Sequence, residues 1–181
     1  MIKTLEEARQ FVLDVKVCSI FAKDASGLPS LWDQVDLPEK QPGEKGWGQR
    51  MGAVWTWKNQ LPTEYPTDVF YGKIGCGTAV LMDMTHLANV HFPQAHVPVT
   101  DLNDLAQFVF AQVEIEPRET GALRKAAMLE TGCTKNTFDT ALKNLQTSLN
   151  IARWNHPRVE RDTWVPFRDM YPDIWVRHVP D

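Results

Sequence analysis

The chain has 181 residues, 43% hydrophobic and 23% charged, with a formal net charge of −4. That is room for one sizeable domain or two small ones and enough apolar mass to bury a core, which excludes a disordered chain. No apolar run approaches the roughly 18 residues of a membrane span, and the acidic opening Met1-Ile2-Lys3-Thr4-Leu5-Glu6-Glu7 lacks the apolar stretch of a secretory signal, so a cytoplasmic location without membrane contact is expected.

A capping box, Thr4 with Glu7, opens a helix predicted over about 4–17, with Leu5, Ala8, Val12 and Val15 at helical spacing. Residues 24–46 collect Gly27, Pro29, Pro38, Pro42, Gly43 and Gly46. They are expected to be loop with at most a helical turn near Leu31–Trp32, and a loop of that length points to function or mobility. Trp47, Met51, Val54, Trp55 and Lys58 mark a second helix, ended by Pro62. On that helix Trp55 and Trp57, two positions apart, cannot both face the core. In DVFYGKIGCGTAVLMDM (68–84) two apolar runs flank Gly75-Cys76-Gly77, a hairpin signal. Thr85 is the expected cap of a short helix to His91 that Pro93 stops. Thr100 or Asp101 then opens a stronger helix through Leu102, Leu105, Phe108 and Val109 to Glu116.

The final third alternates periods most clearly. Thr120 is the expected cap of a helix through Leu123, Ala126, Ala127 and Leu129; Gly132 makes a tight turn, and Thr134 caps the next helix. There Phe138, Ala141, Leu142 and Leu145 fall at i, i+3, i+4 and i+7, an inward apolar stripe that leaves Lys135, Asn136, Asp139, Thr140, Lys143 and Thr147 outside. Leu149 and Ile151 alternate as a half-buried strand does, and WNHPRVERD separates them from TWVPF. The predicted fold is α+β and mainly helical: a winged helix-turn-helix over 99–181, preceded by a second, diverged winged-helix-like region with its own hairpin over 1–98.

Charge is distributed unevenly along this plan. Residues 1–117 hold nine basic and fifteen acidic side chains, net −6, whereas residues 118–161 hold eight and four, net +4. A local cationic excess is what attraction to phosphate uses, since Coulomb forces are screened beyond a Debye length of about 8 Å. In a helix-turn-helix the second helix meets base edges in the major groove, which makes Lys135, Asn136, Thr140 and Lys143 candidate DNA contacts. The wing adds Arg153, Asn155, His156, Arg158 and Arg161. The plainer alternatives are a solvated helix face or a winged-helix module that binds protein, and Asp139 in the middle of the face opposes phosphate binding.

Other chemistry is poorly represented. Cys18, Cys76 and Cys133 have no ligand spacing and read as buried, reduced thiols; His86, His91 and His96, five apart, fall on different helix faces, so no metal and no cofactor are expected. Phosphate-loop, dinucleotide and nucleophile-elbow motifs are lacking. Seven tryptophans offer flat surfaces on which an extruded base stacks, although core packing is their more ordinary use.

The fragments EEARQFVLDV (6–15), SLWDQV (30–35) and AVWTWKNQLP (53–62), with the winged unit after 100, resemble the AlkZ/YcaQ-type winged-helix DNA glycosylases, and more particularly their shorter AlkZ-related branch. The resemblance implies tandem winged helices that cradle double-stranded DNA, and a Gln-x-Gln or Gln-x-Asp pair that hydrolyses the N-glycosidic bond of alkylated bases. Such a pair holds a water and stabilises an oxocarbenium-like sugar, and two side chains two apart in an extended segment project to one side. Gln34-Val35-Asp36 has that pattern. It departs from the family in context: there the pair precedes an Arg-x-His and a Leu-Trp by about a dozen residues, whereas here Gln34 directly follows Leu31-Trp32 and no Arg-x-His is present. The expectation is therefore a DNA-binding protein on a glycosylase-like frame without a complete glycosylase site. An active glycosylase using Gln34 and Asp36, and a protein-interaction module, are the alternatives.

Overall fold

The computed structural model describes residues 1–21, 26–75 and 77–180. Cys76, the middle residue of the expected Gly75-Cys76-Gly77 turn, therefore lies outside the described residues. The chain divides into two units, Met1–Tyr71 with Thr78–Leu87, and Gly72–Gly77 with Ala88–Asp181. Helices with small antiparallel sheets make it a mainly helical α+β protein.

In the first unit, α1 (Leu5–Val15) opens on the expected capping box, in which Thr4 Oγ1 accepts the Glu7 amide and the Glu7 carboxylate accepts the Thr4 amide. It ends two residues early because Lys16 adopts φ 69°, which no helix continues through. Val17–Ser19 is thereby released as β1, which pairs with Met82-Leu81-Val80 and buries Cys18. Burial pushes the Cys18 thiol up to about 12 and so keeps it protonated and unreactive. Leu31–Gln34 forms the short α2, capped by Ser30.

The helix α3 (Gln49–Glu64) corrects two expectations. Gly48 caps it, so Trp47 lies outside, and Pro62 sits within it. A proline this near the helix end removes only the amide that would bond Lys58, and Thr63 Oγ1 bonds the Asn59 carbonyl one turn back. The buried positions Val54, Trp57, Lys58 and Leu61 keep the i, i+3, i+4, i+7 spacing, but Trp47, Met51 and Trp55 are not among them. Trp57 is in the core; Trp55 is 42% exposed. The Lys58 ammonium lies 4.1 Å from the Trp55 ring and 5.0 Å from that of Tyr71. The hairpin strands β2 (Val69–Ile74) and β3 (Thr78–Asp83) follow as expected, and β1 makes the sheet three-stranded, in the order β1-β3-β2. Asp83 rather than Thr85 caps the next turn, α4 (Met84–His86): its carboxylate accepts the His86 amide and pairs with Lys16 at 2.9 Å.

A π-helical turn, Leu87–His91, leads into the Ala88–Asp181 part of the second unit, where α5 (Phe92–Ala95) contains Pro93 in its first turn. Pro93 thus starts a helix instead of stopping one, since its missing amide is one that a helix start leaves unbonded anyway. Val99–Asp101 is a 3-10 turn, and Asn103, not Thr100 or Asp101, caps α6 (Asp104–Ile115) through the Ala106 amide. After the two-residue strand β4 (Arg118–Glu119) comes α7 (Thr120–Thr131). Thr120 does not cap it, because its hydroxyl is engaged elsewhere: it accepts from Trp164 Nε1 at 2.8 Å and donates to the Asp162 carbonyl. Gly132, at φ 70°, takes the left-handed conformation that ends α7, and Thr134 then caps α8 (Lys135–Thr147). Leu149, at φ 56°, closes the turn after α8, so the strand β5 starts only at Ile151 (Ile151–Arg153). It pairs with β6 (Thr163–Pro166), which also takes β4, giving the order β4-β6-β5. The core is the inner face of α6, α7 and α8 with Ile151 and Trp164; Phe138, Ala141, Leu142 and Leu145 are all buried in it, as their spacing predicts. The short helices α9 (Phe167–Met170) and α10 (Pro172–His178) complete the unit.

Candidate nucleic-acid interface

The geometry of α8 follows from its two halves of sequence. Thr134 Oγ1 accepts the Thr137 amide at 3.2 Å and fixes where the helix starts, and the apolar stripe fixes its roll. Lys135, Asn136, Asp139, Thr140 and Lys143 are thereby forced onto the opposite face. Lys135, Asn136 and Thr140 are exposed, and Thr140 Oγ1 bonds the Asn136 carbonyl one turn back. Lys143 is half-buried, and a Cβ at Gly77 would come within 2.9 Å of its Cδ, so its alkyl chain is packed and only its end is available.

Asp139 was the acid expected to oppose phosphate on this face. It pairs with Arg124 of α7 at 3.0 Å, and the same guanidinium lies 5.6 Å from the Phe138 ring centre. Its charge is thus compensated from the neighbouring helix, a contact fifteen residues away that no local pattern announces.

The residues between β5 and β6 separate into two groups. Arg153 is buried and ion-paired to Asp162 at 2.8 Å, which closes the base of the hairpin. Asn155 is half-buried and donates to the Tyr171 hydroxyl at 3.4 Å. His156, Arg158 and Arg161 are exposed; the His156 ring lies 5.0 Å from that of Trp154 and accepts the Arg158 amide. Arg161 reaches Glu119 only loosely, at 3.9 Å with its side chain 81% exposed. Among the described residues neither Lys135 nor Arg158 has an ion-pair partner.

Gln34 and Asp36 lie in the first unit. Gln34 ends α2 and is exposed, and Val35 between the two is buried. The backbone pairs with Ile2 on both sides, the Ile2 amide to the Gln34 carbonyl and the Asp36 amide to the Ile2 carbonyl. The Asp36 carboxylate pairs with Lys3 at 3.1 Å. The extended three-residue segment expected there is in fact a helical end followed by one bridge. Among the described residues no group of three or more His, Cys, Asp and Glu is placed to hold a metal ion, and no helix is long and apolar enough to cross a membrane.

These features define a class: a mainly helical α+β protein with a cationic helix face beside a basic hairpin. A family model described as AlkZ related matches residues 2–159, and the chain belongs to that AlkZ-related family, a glycosylase-like group with a DNA-repair context. No curated protein and no solved structure matches the chain.

Proposed function

We propose that the protein binds double-stranded DNA through the second unit, used as a winged helix: α6, β4, α7, α8, β5 and β6 follow one another in winged-helix order, with α8 as the recognition helix and residues 154–162 as the wing. The division of labour is the one expected at 1–98 and 99–181, the later part carrying the duplex.

The observation that carries this reading is the exposed face of α8, where Lys135, Asn136 and Thr140 are accessible while Asp139 is neutralised by Arg124. Lys135 at the first helical position is unfavourable by itself, because a helix N-terminus is already positive; opposite a phosphate the two effects add instead. Asn136 and Thr140 suit base edges, while Lys143, Arg158 and Arg161 suit the backbone. Arg153 and Asn155 hold the wing rather than touch DNA.

The Gln34-Val35-Asp36 segment supports a catalytic role poorly, since Gln34 sits on a helical end and Asp36 is engaged by Lys3. The protein is accordingly a DNA binder on a glycosylase-like frame, and its location is the cytoplasm. Titration of a fluorescent duplex at several salt concentrations tests this, because phosphate contacts release counterions. Steep weakening with salt is expected; salt-independent binding, or none, removes the proposal in favour of a protein-interaction module.

A further inference from the structure

The last helix of the second unit cannot stand by itself. α10 has seven residues, well short of the roughly 12–15 at which an isolated helix is even marginal, so its form depends on what it is docked against. That support is a cluster of rings around Phe92 of α5. Trp175 meets the His96 ring edge to face at 5.0 Å and 75°, and His96 in turn is stacked flat on Phe92 at 4.8 Å and 9°. His178 lies 5.5 Å from the same Phe92 ring, and its Nε2 donates to the Ala88 carbonyl at 2.6 Å. On the surface Arg177 adds a hydrogen bond to the Asn89 side chain.

His96 joins three elements at once. It follows directly on α5, it packs against Trp175 of α10, and its Nδ1 donates to the Ser148 carbonyl at 3.0 Å in the turn after α8. Leu149 makes that turn at φ 56°, a left-handed conformation that a bulky residue keeps only where its surroundings hold it. The Val97 amide reaches the same Ser148 carbonyl at 3.4 Å, and Asn150 Nδ2 donates to the Val97 carbonyl at 2.9 Å. A carbonyl only accepts, so the neutral His96 ring carries its proton on Nδ1, and the second proton of an imidazolium goes to Nε2. Phe92 and Trp175, the rings that flank it, have no acceptor to offer that proton.

We infer that His96 is an acid-sensitive latch for the C-terminal helix: its neutral ring fastens α10 to α5 and to the turn after α8, and its imidazolium releases α10. Charging a ring packed between Phe92 and Trp175 costs desolvation. Burial accordingly holds the His96 pKa below the ordinary 6.5, against the Ser148 carbonyl, which raises it. The titratable and charged groups on the elements packed there are His91 and His178, Asp173 and Arg177 of α10, and Arg168 and Asp169 of α9; the turn 148–150 brings none. Arg168 is bound to Glu114 and Arg177 to Asn89. Once α10 leaves, the ring regains its ordinary affinity for protons, so the released form takes up the proton first. Docking is therefore complete above pH 6.5 and weakens as the pH falls below it. The inference concerns α10 and does not depend on what α8 binds.

Hydrogen–deuterium exchange of the full chain at about pH 7.5 and 5.5, corrected for the intrinsic pH dependence of amide exchange, tests the latch. Protection over Trp175 to Val179 is expected to fall at least about threefold at the lower pH, while Phe138 to Leu145 in α8 keep theirs. His96→Gln retains a donor for the Ser148 carbonyl but cannot titrate, and is expected to abolish the fall; His178→Gln is expected to retain it. Unchanged α10 protection in the wild type, an equal fall in His96→Gln, loss of the fall in His178→Gln, or a fall shared by α8 would each overturn the inference. Proton NMR titration of the His96 ring in the wild type keeps the test open should a variant fail to fold: a midpoint below the ordinary value is expected, and one at or above it would overturn the latch.

Discussion

Replacing Lys135 and Arg158 together by alanine tests the charge argument at the positions where the structure leaves it cleanest. Both side chains are exposed and neither is ion-paired among the described residues. Lys135 opposes the dipole of α8, so its removal costs the helix nothing, and surface changes of this kind stay within about 0.5 kcal/mol of stability. Four cations are available to phosphates on the proposed surface, Lys135, Lys143, Arg158 and Arg161. At about 0.9 per neutralised phosphate the binding constant scales with salt to a power of roughly −3.6, so raising salt from about 50 to 200 mM weakens the wild type on the order of 150-fold. The double variant retains two contacts, a power near −1.8, and loses only about 12-fold over the same interval. At the low-salt end it binds at least about tenfold more weakly than the wild type. Fluorescence anisotropy of a labelled duplex, with circular dichroism to confirm the fold, reads both quantities. An unchanged salt exponent in the double variant would refute the assignment of these residues to phosphates.

Further outcomes follow from burial and ion pairing. Phe138 is fully buried among α6, α7 and α8, so Phe138→Ala is expected to lose about 3–5 kcal/mol in urea unfolding, and a loss under 1 kcal/mol would contradict the core assignment. Asp36 sits in a largely exposed pair with Lys3, so Asp36→Asn is expected to shift stability by less than about 1 kcal/mol and to leave duplex affinity unchanged. Release of free base from alkylated DNA that this variant abolishes would instead reinstate Gln34 and Asp36 as a catalytic pair. His96 is stacked on Phe92 at 4.8 Å and its Nδ1 bonds the Ser148 carbonyl; burial holds its pKa below the ordinary 6.5. The unfolded chain therefore takes up the proton first, so this contribution to stability is present above pH 6.5 and fades as the pH falls below it. His96→Phe is expected to flatten thermal stability against pH in that acidic window, and an identical profile would show that the ring is not titrating there.

What the sequence discloses and what it withholds divide along local and long-range lines. The capping box at Thr4 and Glu7, the Thr134 cap and the Phe138–Leu145 stripe involve residues within two turns of one another, and each appears in the structure as its spacing dictates. The misplaced caps have two causes, a competing side chain nearby or a hydroxyl already engaged by a distant residue. Thr85, Thr100 and Thr120 are all acceptable cap residues, but Asp83 and Asn103 bind the relevant amides, and the Thr120 hydroxyl is taken by Trp164, 44 residues away. The strands β1 and β4 are too short to show alternation and exist only because a longer strand is there to pair with them. The compensation of Asp139 by Arg124 is of the same kind. In the N-terminal half, periodicity misled for a physical reason: residues on an outer helix face repeat at the same interval as residues facing a core, and only exposure tells Trp55 from Trp57.

The central claim is that a duplex lies on α8 and the wing. Hydrogen–deuterium exchange of the protein with and without duplex DNA reads that contact directly. Slowed exchange in the first turns of α8, from Lys135 through Lys143, together with residues 154–161 is the predicted footprint. Protection confined to other segments, with α8 and the wing exchanging at the same rate bound and free, would contradict it.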